Sequence, residues 1–479
     1  MMGELLRLRP GVSAVVTPAG ELYLVAWLRG QRVGKRSSDI ERLLAELAAE
    51  HCSAERLYEL AGTRRPVDRL LALLHRGGWL QITRVHDSRH LYTVSPLRPG
   101  GPRDVMAGSG AKARTSAGEN KTATRSRPRP PGSAARAQLF GGLSRFTVVR
   151  RDGDNFLVES PLADADILVH DSGLLRYLAE QADDGVAIDF QGELLRAGLA
   201  VGPADGEHGE LRLAQWTPHE LWFHACSRAA TRGRVGDRFG ATSWGQGRFV
   251  PLPARPQSFP GARISLYRPD LGALRRNDTR LTAALEDRRS IRSYGADPLT
   301  LPQVGEFLFR CARARGVTPG DVELVDRVYP SGGKFGELEL YLVAQAVAGL
   351  EPGIYHYDSY DHCLVATGAT ARATRGLLAD AGGLLVPPGR PPLLIVVTAR
   401  FGRLMWKYEG LSYALALKHV GALYQVMYLV ATAMGLAPCA LGTGDSEAFC
   451  DAVGLDYLIE SSVGEFALGV PAAAGREAS

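Results

Sequence analysis

From Glu409 to Met434 the chain runs for 26 residues whose formally charged side chains are Glu409 and Lys418 alone. Read as one helix, the stretch is roughly 39 Å long at the standard rise. A helix apolar on nearly every face has to be enclosed, by a large core or by a second subunit, so it demands a sizeable folded body around it. Between Leu423 and Leu441 there is no charge, yet Gln425, Gly435 and Pro438 interrupt the run. That pattern fits a buried helix followed by a turn better than a membrane span. The 479 residues leave room for about three domains.

The clearest boundary is residues 99–138, where Pro, Gly, Ala, Ser, Thr, Lys and Arg displace large apolar side chains and the run closes on Arg127-Pro128-Arg129-Pro130-Pro131-Gly132. Such a composition cannot bury enough apolar surface to offset chain entropy, and it predicts a disordered basic linker. Eight Lys/Arg against two Asp/Glu give this segment +6, so of the whole chain's +5 the remainder carries −1. That balance argues against a nucleic-acid partner. Six cysteines (Cys52, Cys226, Cys311, Cys363, Cys439 and Cys450) are widely separated and form no Cys-x-x-Cys pair. They read as reduced thiols with no zinc framework. The start, Met1-Met2-Gly3-Glu4-Leu5, lacks the apolar stretch of a secretory signal. These features predict a soluble, cytoplasmic protein with no membrane partner. His219 and His224 are five apart, wrong for two ligands on one helical face, and His356 and His362 bracket a polar turn; no metal site is expected.

On either side of the linker the chain resembles itself. In 1–98, Val12–Val16 and Leu22–Trp27 alternate like a hairpin. Ile40, Leu43, Leu44 and Leu47 follow at helical spacing, and a second helix ends at Leu73-Leu74-His75-Arg76-Gly77-Gly78. Trp79–Val85 and His90–Val94 close the unit as strands. In 139–222 the order recurs: Phe146–Val149, Phe156–Glu159, Leu174–Leu178, Leu194–Gly198, then Leu199–Val201 with Leu211–Ala214. Strand pair, helices, then a glycine turn into a two-stranded wing is the winged-helix plan. Such units bind DNA or peptides. A DNA reader needs a basic recognition helix. Arg64, Arg65 and Arg69 supply one in the first copy, but only Arg196 stands in the second. Peptide binding is the preferred reading.

A connecting segment, 223–275, leads into an α+β region over 276–472 with a short tail at 473–479. Leu281–Asp287 reads as a helix, Glu337–Val347 and Ile354–Tyr357 as strands joined across Gly349–Gly353, and Leu393–Thr398 as a fully buried strand. Four elements here carry chemistry. Arg288, Arg289, Ser290 and Arg292 follow the first helix; guanidinium forks suit a phosphate and hydroxyls suit polyol oxygens, although an exposed cluster would read the same way. Tyr329-Pro330-Ser331-Gly332-Gly333-Lys334 is a turn whose glycines admit a flat ligand close to the backbone, or simply a loop. Leu441, Gly442 and Thr443 would present backbone N–H groups, without forming a dinucleotide fingerprint. Lys407 and Tyr408, directly ahead of the apolar helix, form an acid/base pair or else a snorkelling lysine beside an interfacial tyrosine.

In order and spacing these four elements resemble the nitroreductase-like flavoproteins, and most closely the SagB/ThcOx-type azoline dehydrogenases of ribosomal peptide biosynthesis. The likeness extends over about residues 215–470 and includes Leu221-Trp222-Phe223-His224-Ala225-Cys226-Ser227-Arg228, Pro251-Leu252-Pro253-Ala254-Arg255-Pro256, Leu350–Tyr357 and Gly421–Gln425. It implies an antiparallel-rich C-terminal sheet with a long helix buried in a homodimer, preceded by two winged-helix-like, leader-recognising domains. It further implies FMN at the dimer interface. Arg288, Arg289, Ser290 and Arg292 fall where the family holds the phosphate, ribityl chain and pyrimidine edge. Pro330, Ser331 and Gly332 match the loop that reaches the flavin from the partner chain, and Leu441, Gly442 and Thr443 the stretch facing the flavin ring. Lys407 and Tyr408 match the Lys-Tyr pair of the azoline dehydrogenases.

The resemblance thus implies an FMN-dependent oxidoreductase that converts thiazoline or oxazoline rings of a precursor peptide to thiazoles or oxazoles. Tyr408, activated by Lys407, takes a proton, hydride passes to the flavin, and dioxygen reoxidises it. The precursor peptide and a cyclodehydratase are the expected partners, and the linker would let the first copy present the peptide at high local concentration. Two other readings stand beside this one: an NAD(P)H-dependent nitro- or enone-reductase on the same scaffold, and a redox-sensing DNA-binding regulator.

Overall fold

The structure, a computed structural model, describes residues 2–26, 29–97, 140–203, 207, 209–228, 239–385 and 389–472. The expected linker at 99–138 and tail at 473–479 lie outside the described residues. The chain divides into two compact units, Met1–Asp237 and Arg238–Ser479.

In the first unit, Ser13–Val16, Glu21–Ala26 and Arg29–Lys35 form a small antiparallel sheet. Helices Ser38–Ala49, Ala54–Ala61 and Arg64–Gly77 follow it. Leu43, Leu44, Leu47, Val67 and Leu74 recur at helical spacing and bury against Leu22, Leu24 and Trp79. The last helix stops at Gly78, whose φ of 65° suits the left-handed cap where the expected glycine turn falls. Gly198, at φ 73°, ends the helix Gly185–Ala197 of the second repeat in the same way.

The two repeats meet in one sheet. Its strands run in the order Met2–Leu8, Leu80–His86, Arg89–Pro96, Ala165–Val169, Asn155–Glu159 and Val148–Asp152. Arg89–Pro96 of the first repeat pairs antiparallel with Ala165–Val169 of the second, Val94 opposite Ile167 and Tyr92 opposite Val169. Leu91, Tyr92 and Val94 accordingly belong to the core of the second repeat, with Phe190 and Leu194. Strand pairing therefore sets how the segments 2–97 and 140–203 lie against each other. The second repeat also differs at its expected wing. Ala200–Val201 pairs with Gly142–Leu143. Leu211–Ala214 is helical, its first turn closed by Leu213 and Ala214 amides on the Glu210 carbonyl.

The second unit is built on seven strands in the order Arg263–Ser265, Cys363–Ala366, Gly353–Asp358, Leu338–Ala344, Leu393–Arg400, Glu460–Gly469 and Ala437–Leu441, every neighbouring pair antiparallel. Alternation along the buried strand Leu338–Ala344 serves two cores. Leu338, Leu340 and Leu342 pack with Phe307, Leu423 and Met427 beneath helices Leu301–Ala312 and Ser412–Ala433. Tyr341 and Val343 pack with Leu377, Leu378 and Phe449 beneath Ala371–Gly383 and Ser446–Val453. Sheets covered on both faces read as continuous apolar runs, which is why Leu393–Thr398 was legible.

The long helix is shorter than its apolar run. It spans Ser412–Ala433, because Tyr408–Glu409 is a short strand and Gly410 takes φ 74°. Ser412, Ala416, His419, Val420, Leu423, Met427 and Ala431 face the sheet, while Tyr413 and Leu417 stay 42% and 37% exposed. It is long and apolar enough to cross a membrane by length and composition, with 33% of its most apolar window buried. Enclosure by the single chain is thus one-sided.

Candidate functional site

Lys407 and Tyr408 leave the short helix Phe401–Met405, the Lys407 amide bonded to the Leu404 carbonyl at 3.1 Å. Tyr408–Glu409 then pairs with Gly240–Ala241, Ala241 opposite Tyr408. The following residues strap the pair from outside. Ser243 N–H donates to the Lys407 carbonyl (2.9 Å), Gly245 N–H to that of Trp406 (3.2 Å), and Trp406 Nε1 to that of Phe249 (3.0 Å). Sequence reasoning missed this strap, whose partners lie about 160 residues away in the chain.

On the inner side stands Phe335. Its ring meets Tyr408 edge-on with centroids 5.9 Å apart, and Lys407 Nζ lies 5.4 Å from its centroid. Buried Arg403 fixes this aromatic wall by donating to the carbonyls of Phe335 (2.9 Å) and Leu252 (2.6 Å), which ties in the proline-rich segment as well. Burial holds the Arg403 guanidinium below its ordinary pKa.

The loop Pro330–Lys334 closes on the same group. Gly333 adopts φ 63°, and a Cβ there would sit 2.8 Å from the Phe335 ring and 3.1 Å from the Tyr408 hydroxyl. Gly332 N–H donates to His419 Nε2 at 2.8 Å, His419 Nδ1 meets Glu337, and Ser331 Oγ donates to Glu337 at 3.0 Å. The expected loop residues and the Lys407–Tyr408 pair therefore share one neighbourhood. His419 and Glu337 went unread, although a histidine inside an otherwise apolar helix was a signal available in the sequence.

The arginine cluster occupies a second neighbourhood. Ser290 Oγ and Tyr428 Oη are 2.8 Å apart, the Ala440 amide donates to the same Tyr428 oxygen at 2.8 Å, and Ile291 N–H reaches the Pro438 carbonyl at 2.8 Å. Arg288 lies 5.3 Å over the Tyr428 ring. Segment 288–292 is thus stitched to the strand Ala437–Leu441, which leads directly into Gly442 and Thr443. Among the described residues, no carboxylate lies within ion-pair distance of Arg288, Arg289 or Arg292. Gly442 has no heavy atom within 4 Å of where a Cβ would stand. Guanidinium groups without a carboxylate partner, Arg289 donating through Nη1 to the carbonyls of Glu286 and Arg288, form beside open backbone a donor set suited to a phosphate and a polar ring edge.

His419 and Tyr428 mark these two neighbourhoods on one helix, nine residues and about 13 Å apart along it. Leu441 and Thr443 also border a cavity of about 540 Å³ on the opposite face of the sheet, walled by Leu394, Val396, Phe449 and the carboxylate of Glu465. Burial raises the pKa of Glu465, with a Ser462 hydrogen bond opposing it.

Residues 285–470 match the model of the nitroreductase family, and residues 142–233 match that of the cyanobactin oxidase ThcOx. A nitroreductase-like protein of Methanocaldococcus jannaschii is 28% identical over 182 residues, which cover 38% of this chain and 85% of that one. Among solved structures, the Escherichia coli microcin synthetase McbBCD complex with truncated pro-MccB17 bound matches at 20% identity over 47% of this chain and 88% of that one, with a TM-score of 0.33. A nitroreductase-like protein of Desulfovibrio desulfuricans in complex with FMN matches at 20% identity over 42% of this chain and 94% of that one, with a TM-score of 0.26.

Proposed function

From a chain that is nitroreductase-like and of the SagB/ThcOx type, with a nitroreductase domain at 285–470 behind a cyanobactin-oxidase-type segment at 142–233, we propose an FMN-dependent azoline dehydrogenase acting on a ribosomally made peptide. The observation that carries this reading is the Lys407–Tyr408 pair held between the Gly240–Phe249 strap and the Pro330–Lys334 loop, with Phe335 as its inner wall.

The donor set fits FMN. Arg288, Arg289 and Arg292 have the charge for the phosphate and pyrimidine edge, and the backbone of Gly442 and Thr443 would lie against the ring, Gly442 being open where a Cβ would stand. Ser290 would hold the ribityl chain by sharing its hydroxyl with Tyr428. When bound, the flavin supplies the two-electron acceptor. The residues of the chain manage the proton. Tyr408 removes it from the ring carbon beside the azoline nitrogen and the exocyclic carbonyl, and Lys407 stabilises the negative charge that develops there. The arginine cluster borders the long helix at Tyr428 and the loop beside the Lys-Tyr pair borders it at His419, about 13 Å away along it; in this reading a second copy of the chain completes the site. Its apolar contact is the face of that helix carrying Tyr413 and Leu417.

The N-terminal unit binds the leader by strand addition, and the precursor peptide and a cyclodehydratase are the partners. The test is direct. Purified protein should be yellow and dimeric, and a heterocyclised peptide incubated with it should lose two hydrogens per ring by mass. Bleaching of the bound flavin by NADPH, with no mass change in the peptide, would instead support the nitro- or enone-reductase.

A further inference from the structure

We propose that His419 and Glu337 are positioning residues that hold the Pro330–Lys334 loop against Tyr408, His419 acting as acceptor for the Gly332 amide. The inference rests on the reading of Lys407–Tyr408 as the reacting pair. Both side chains are buried: Glu337 has no exposed surface and His419 retains 7%. A polar pair so deeply placed beneath an apolar helix is expensive unless its hydrogen bonds are complete. Here they are. Glu337 takes the His419 ring on one oxygen and the Ser331 hydroxyl on the other, and Ser331 Oγ in turn accepts the Gly336 amide at 3.1 Å.

Two amides, that of Gly332 in the loop and that of Gly336 just after it, thus end on one carboxylate through one intermediary each. The arrangement dictates the imidazole's tautomer. Since the Gly332 amide can only donate, Nε2 must be bare, and the proton sits on Nδ1 toward Glu337. A cationic ring would set two donors against each other at 2.8 Å. The loop also packs directly on the ring, since a Cβ on Gly332 would stand in van der Waals contact with His419 Cε1 and Nε2 at 3.4 Å. From Gly332 the constraint passes to the next residue, whose left-handed φ of 63° sets it beside the Tyr408 hydroxyl. Shifting the loop would move the wall against which that hydroxyl is oriented.

Hydrogen–deuterium exchange of the full-length, flavin-free protein, paired with turnover of the reconstituted enzyme, tests this. His419→Phe keeps a ring but removes the acceptor, whereas His419→Gln restores an acceptor near the Nε2 position. In His419→Phe the Gly332 amide should exchange at least fivefold faster and kcat on an azoline peptide should fall at least tenfold, with KM within about twofold. His419→Gln should recover most of both. Unchanged Gly332 exchange in a folded His419→Phe protein would overturn the inference, as would equal losses in both variants. If wild type itself leaves azoline peptides untouched, the reading of the active site fails, while exchange at Gly332 still reports on the positioning contact.

Discussion

The two sheets of this molecule are finished differently. In the C-terminal unit both faces are covered, and every residue of Leu338–Ala344 and Leu393–Arg400 is buried. One edge is only the three residues Arg263–Ser265, and the other, Ala437–Leu441, is largely buried. The N-terminal sheet instead ends in Val148–Asp152, all five residues exposed, while its opposite edge is bridged at Leu6 by Cys52. An enclosed sheet fixes distances between groups that must react, whereas an open strand edge offers unpaired amides and carbonyls to an extended chain. Under the proposed function, chemistry and recognition would make opposite demands on one type of scaffold, with each unit suited to one of them.

The strongest way to break this comparison is at the proposed reacting pair, Lys407 and Tyr408. Lys407→Ala with Tyr408→Phe should cut turnover by about a hundred- to ten-thousand-fold, with flavin content and leader affinity unchanged. Wild-type rates in steady-state assays would remove the pair from the mechanism. A gentler probe compares the sheets themselves. Leu342→Ala, at a position with 0% exposure, should cost about 2–5 kcal/mol in urea unfolding. Val149→Ala, at a position 39% exposed on the open edge, should stay within about 0.5 kcal/mol. Equal costs would mean that the edge is covered in solution.

The smallest expected effect concerns acid. His51 and His170 lie on either side of His90, with ring centroids 6.2 and 5.8 Å from it. Burial, and after it neighbouring positive charge, lowers the pKa of both. The unfolded chain then binds protons more readily than the folded one. The stability contributed by the neutral rings is complete above the ordinary histidine range and is lost as pH falls through it. Thermal melts of the N-terminal unit should drop between pH 7.5 and 5, and His51→Asn should shrink that drop by roughly two degrees. An identical pH slope in the variant would relieve His51 of this role.

What was legible in the sequence was local. Leu281–Asp287 follows from helical spacing, Gly78 and Gly198 from the need for left-handed caps, and Leu393–Thr398 from a run too short for a helix and too apolar for an exposed strand. Leu211–Ala214 misled because Leu-Arg-Leu alternates with period two yet consists of good helix formers. The non-local features escaped. Nothing in Arg89–Pro96 announces a partner at Ala165–Val169, and the Gly240–Phe249 strap meets Trp406–Glu409 only in the fold. The candidate site was read as four separate motifs, and the contact of His419 with Gly332, which bridges 87 positions, brings in a residue outside all of them.

The pairing of Arg89–Pro96 with Ala165–Val169 carries one more consequence. Leu97 N–H is bonded to the Asp164 carbonyl at 2.8 Å, and Phe140 is buried in the core that holds Leu91 and Tyr92. The ends at 97 and 140 are thus both anchored within the N-terminal unit, which makes the connection between them a loop closed at both ends. Doubling its length would cost only about 0.6 kcal/mol. Insertions, tags or whole guest domains could be accepted there without disturbing the register of either repeat.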